Sequence, residues 1–109
     1  MPIAQCFVTS DLIGNGGDLI ELWSSTSGIS KEHMTINLIA VQQQFGVRYP
    51  IMAQLQLPDI WSREQSQALQ EGLSKALADF FQQPLSAIHL ITSQVATGMV
   101  VEDGKTIHW

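Results

Sequence analysis

The chain has 109 residues, enough for one domain around one core and too few for two ordinary domains. Hydrophobic residues make up 45% and charged residues 14%, which argues against a disordered chain. The net charge is −5 with only five Lys and Arg, so there is no basic stripe for a phosphate backbone and no nucleic-acid partner is expected.

No apolar run approaches the ~18 residues of a membrane span, so no membrane partner is expected. The opening MPIAQCFV has no positive charge and predicts no signal peptide. A lone cysteine, Cys6, rules out an internal disulfide framework and fits a cytoplasmic location. In an apolar strand it reads as buried filler rather than a nucleophile. So low a charge fraction leaves little polar cover for a monomer and hints at surface buried between subunits.

In chain order, Ile3 to Val8 is short, apolar and β-prone, and predicts a strand. Asp11 to Gly17, with three glycines and an Asn, predicts a loop. It lacks the Lys-Ser/Thr that would follow in a phosphate loop. Asp18 is placed to cap a helix through Leu19, Ile20, Leu22 and Trp23, which the run Ser24 to Ser27 weakens and Gly28 ends. Met34 to Val41 predicts a second strand, parallel to the first, because the connection is long enough for a crossover.

Past Pro50, the residues Ile51, Ala53, Leu55 and Leu57 alternate with Met52, Gln54 and Gln56, the mark of a strand with one buried face. Ser62 and Gln65 form a capping box. Leu69, Leu73, Ala76, Leu77 and Phe80 then follow at helical spacing, and Pro84 closes the helix. A fourth strand is expected from Ala87. Met99 to Val101 and Thr106 to His108 flank Asp103-Gly104, a two-residue hairpin signal.

The order strand, helix, strand therefore occurs twice, and the halves share letters. PIAQ at Pro2 to Gln5 returns as PIMAQ at Pro50 to Gln54, and NLIAVQQ near Asn37 lines up with HLITSQV near His89. We read a single domain, 1–109, with repeats of about 2–48 and 49–109. The expected class is α+β, a four-stranded mixed sheet with two helices on one face and a short C-terminal hairpin.

This duplicated order, with proline at position 2, resembles the tautomerase superfamily. PIAQ is similar to the N-terminal pattern of the 4-oxalocrotonate tautomerase family. The stretch from PIMAQLQLPD through SREQSQALQEGLSKAL to QQPLSAIHLITSQVATG resembles one whole unit of that family. The double length resembles the trimeric branch that includes macrophage migration inhibitory factor. The resemblance implies a homotrimer without a cofactor, in which an N-terminal proline amine moves a proton in a small enol or keto acid. Pro2 is then the candidate catalytic base. Once Met1 is removed its nitrogen is a secondary amine, and a free α-amino group titrates near ~7.7–8, lower in apolar surroundings.

The sequence departs from the family's two substrate arginines. The strand position holds His89, or Asn37 in the first half, and the position before the second helix holds Trp61, with Arg63 two residues later. A neutral histidine is a poorer carboxylate clamp than a guanidinium fork, which weighs against a dicarboxylate substrate. The substrate-binding candidates are Lys31, Arg63, His89 and Trp109. Each has a plainer alternative: a loop lysine, a helix-surface charge, a structural histidine and an interface seal. No metal site is expected, since the three histidines lack ligand spacing. Two other functions stay open: a non-catalytic trimeric binding protein of the same fold, and a dehalogenase or hydratase of small unsaturated acids.

Overall fold

The computed structural model describes residues 1–109. Its elements are β1 (Ile3–Thr9), α1 (Leu19–Ser27), β2 (Thr35–Val41), β3 (Ile51–Pro58), α2 (Arg63–Phe81), β4 (Ile88–Val95), β5 (Val100–Glu102) and β6 (Lys105–Ile107). The sheet order is β2-β1-β3-β4. β1 and β2 are parallel, as are β3 and β4, while β1 and β3 meet antiparallel. Two βαβ units thus join along the central β1–β3 seam, giving the expected α+β sheet. No helix is long and apolar enough to cross a membrane.

Alternation along the strands decides which face is covered. Ala4, Cys6 and Val8 of β1 and Ile51, Ala53, Leu55 and Leu57 of β3 are buried together with Trp23, Leu69, Leu73, Ala76 and Leu77 of the helices. The residues between them, Ile3, Gln5, Phe7, Met52, Gln54 and Gln56, point the other way and stay partly or fully exposed. The Trp23 indole N–H donates to the Leu69 carbonyl at 3.0 Å, and the Thr26 hydroxyl donates to the Gly72 carbonyl at 2.6 Å. Gly72 lets the two helices approach this closely, since a Cβ there would sit 2.8 Å from the Ser27 nitrogen.

The caps are those expected. The Asp18 carboxylate accepts from Ile20 and Glu21, Gly28 ends α1 in the left-handed region, and both bonds of the Ser62–Gln65 capping box form. Asp103 and Gly104 both have positive φ, 51° and 73°, as a type I′ hairpin requires. The apolar stripe of α2 ends differently from expectation: Phe81 is buried and Phe80 only partly. Strand limits move by a residue or two, and the 3-10 turns Lys31–His33 and Leu85–Ala87 lead into β2 and β4.

Candidate functional site

Pro2 stands at the entrance of the central strand β1. Its side chain is fully buried, and its carbonyl accepts from the Thr35 N–H at 3.1 Å. The pairs Ile3 with Thr35 and Ile3 with Gln56 carry the register back to Met34 and Leu57 on either side of Pro2. Both neighbours are buried apolar residues, so the proline ring is packed on the helix-covered side of the sheet. While Met1 is joined, that nitrogen is an amide and has no basic lone pair.

Three of the four proposed substrate-binding residues come to the same end of the sheet. Lys31 lies in the turn that leads into β2, where its ammonium pairs with Glu21 of α1. The Glu21 hydrogen bond, and then its charge, hold the exposed Lys31 above its ordinary pKa. Arg63 opens α2 just beyond the end of β3. It lines a cavity of about 630 Å³ with Ser66, Gln67, Gln70, Glu71 and Gln94, none of them hydrophobic. Gln94 pairs in register with Leu57, the residue beside Pro2. Leu57 separates this polar cavity from the proline. The Ser66 hydroxyl is buried without a hydrogen-bond partner.

Trp109 is fixed at this end too. Its indole N–H donates to the Asp59 carboxylate at 2.7 Å, and its backbone N–H donates to the Thr97 hydroxyl at 2.7 Å. Asp59 follows β3 directly, and its N–H donates to the Val95 carbonyl at 3.0 Å, tying it to the end of β4. Sequence reasoning missed Asp59, because nothing local marks it as the partner of a residue 50 positions away.

His89 lies elsewhere. It pairs with Met52, which faces Phe7, and its ring stacks on Tyr49 with centroids 4.7 Å apart. Met52 is five residues from Leu57, or about 17 Å along the strand. Its neighbours in register are on the open face of the sheet, so His89 is remote from the Pro2 of its own protomer in both directions.

No group of three or more His, Cys, Asp or Glu is placed to hold a metal ion. Cys6 is buried under the helices, and desolvation pushes its thiol from an ordinary 9.0 up to about 12, which leaves it protonated and poorly nucleophilic.

No family model and none of the curated proteins matches the chain. Solved structures do. A fused 4-OT in the form of a wild-type symmetric trimer aligns over 96% of this chain and 95% of its own, at a TM-score of 0.78 and 12% identity. A member of the cis-3-chloroacrylic acid dehalogenase family aligns over 97% and 83%, at 0.76 and 11%. A macrophage migration inhibitory factor of Toxoplasma gondii aligns over 97% and 100%, at 0.67 and 13%. The chain is similar to these in fold.

Proposed function

We propose that the chain is a tautomerase in which Pro2, freed by removal of Met1, acts as general base on a small enol or keto acid. The observation that carries this reading is the position of Pro2, at the mouth of the central strand between Met34 and Leu57, both buried. An apolar setting disfavours the ammonium form, so the amine is unprotonated near neutral pH and ready to accept a proton from carbon or an enol oxygen. Lys31, kept charged by Glu21, and Arg63 supply positive charge at the same end for the acid group of the substrate. Trp109, anchored to Asp59, stands at the same end of the sheet. A reading as a dehalogenase or hydratase ranks lower, because it needs a further group to activate water.

The proposal includes a homotrimer. The open face of the sheet carries Ile39, Phe7 and Met52 in one register row, with no layer of the protomer covering them. Fused 4-OT relatives in fold have been solved as trimers. Such an assembly would cover these residues and set each Pro2 beside a neighbouring chain. Light scattering at micromolar concentration should give three times the protomer mass.

Intact mass measurement followed by ketonisation of a phenylpyruvate-type enol tests the catalytic reading. Mature protein should outrun the buffer, and a form that retains Met1 should not. Should neither exceed the buffer across a panel of enols, the second reading takes over, a non-catalytic binding protein of the same fold. One observation favours it: Pro2 is fully buried and lines neither the Arg63 cavity nor the other principal openings of the protomer.

A further inference from the structure

At the far end of β1 from Pro2, the carboxyl ends of the parallel strands β1 and β2 enclose a second cavity of about 310 Å³. This is the end of a parallel pair at which open sheets tend to bind ligands. Asp11 and Arg48 both line it. They do not pair with each other, since the ion pair of Lys31 with Glu21 is the only one in the protein. Asp11 and Arg48 thus bring one charge of each sign to the cavity, neither of them in an ion pair.

Local hydrogen bonds shape the two segments of backbone that carry these charges. Asp11 lies in a turn closed by the Leu12 N–H donating to the Thr9 carbonyl at 3.1 Å. Arg48 lies in a loop clasped by the Gln44 side chain, which donates to the Tyr49 carbonyl at 2.9 Å and accepts from the Tyr49 N–H at 2.8 Å. The Thr9 N–H donates to the Pro50 carbonyl at 3.0 Å and joins the two segments. The rest of the lining is amide and hydroxyl, with Val41 and Phe45 as apolar wall.

We infer that this cavity binds a small zwitterion, an α-amino acid with its carboxylate on Arg48 and its ammonium on Asp11. The guanidinium fork matches a carboxylate, and a carboxylate facing the ammonium completes the pairing that Asp11 and Arg48 do not make with each other. A phosphate or dicarboxylate fits poorly, because Asp11 repels a second negative charge. A short aliphatic side chain would lie against Val41 and Phe45. The inference stands apart from the Pro2 reading, since β1 runs about 23 Å between the two ends.

The test is amide NMR titration of the intact protein with three probes of one shape: L-leucine, 4-methylpentanoate without the amine, and 3-methylbutylamine without the carboxylate. Leucine should give saturable shifts confined to residues 9–11 and 41–49, and bind about fivefold or more tighter than either single-charge analogue. Asp11→Asn and Arg48→Gln should each weaken leucine by a similar factor. Both positions are exposed, so melting temperature should barely move. Pro2→Ala should leave leucine binding unchanged. The inference is overturned by absence of saturable shifts, by shifts that centre elsewhere, or by equal binding of leucine and 4-methylpentanoate with no response to Asp11→Asn.

Discussion

The two βαβ units have the same plan and divide the work unequally. In the first, α1 has nine residues and one fully buried side chain, Trp23. In the second, α2 has 19 residues and buries six, among them Leu69, Leu73 and Leu77. β3 presents five buried residues, whereas β2 is exposed along most of its length. The prolines that open the units also differ. Pro50 lies inside the chain and its nitrogen is always an amide, while Pro2 is one peptide bond from a free amine. The second unit supplies most of the core, and the proposed base lies in the first.

The sharpest way to break this comparison is to exchange the prolines' fates. Retaining Met1 should remove the enol-ketonising activity proposed for Pro2. Pro2→Ala keeps a primary amine with altered basicity and geometry, so the rate should fall within the ~10²–10⁴-fold typical of general-base catalysis. Pro50→Ala should leave the rate nearly unchanged. Equal losses at both prolines, measured by steady-state kinetics on mature protein, would end the assignment.

The unequal core gives the next effect. Leu73→Ala in α2 should cost about 2–5 kcal/mol in urea unfolding, as a fully buried leucine does. Leu22→Ala in α1, where the side chain is only partly buried, should cost clearly less. Comparable costs would show that α1 carries more of the fold than its burial implies. The junction between the helices comes next. Gly72→Ala brings a Cβ to 2.8 Å from the Ser27 nitrogen, a backbone atom that cannot rotate away. Overpacking of this kind costs about 1–3 kcal/mol despite alanine's better helix propensity. A Gly72→Ala protein as stable as the parent would mean the helices separate freely.

The helix caps are worth less. Ser62→Ala should destabilise by about 1 kcal/mol, and Asp18→Ala by a similar or smaller amount. Ser62→Ala removes the hydroxyl that accepts from the Gln65 N–H, one of the two bonds of the box, and Asp18→Ala removes the acceptor of the Ile20 and Glu21 N–H groups. The smallest effect is at the seam, where Cys6 faces Ala53 across the two units. The folded thiol titrates at about 12 against an ordinary 9.0. The folded state therefore holds its proton more tightly than the unfolded chain does. This contribution is complete below about pH 9 and lost as pH rises towards about 12, because the unfolded chain ionises first. Native protein should resist iodoacetamide at pH 8 and react once unfolded. Rapid native labelling would show that the seam opens.

Much of the fold was legible in the sequence because its signals are local. The alternation from Ile51 to Leu57, the Ser62–Gln65 box and the Asp103-Gly104 turn each rest on a few neighbouring residues, and each appears where expected. The end of the α2 stripe was misjudged at Phe80, since adjacent residues differ by ~100° around a helix and only packing against the sheet decides which is covered. The candidate site was half legible. The residue types of Pro2, Lys31, Arg63, His89 and Trp109 could be read directly, but their company could not. Strand register brings Lys31, Arg63 and Trp109 to the Pro2 end and carries His89 to the other. A residue's place along a sheet depends on pairing between distant segments, and no local pattern encodes it. The Asp59–Trp109 bond and the unpaired Asp11 and Arg48 belong to the same class. The sequence alone determined elements, caps and turns through short-range propensity. Only the tertiary structure decided which charges meet, because that follows from the closure of long loops around a shared core.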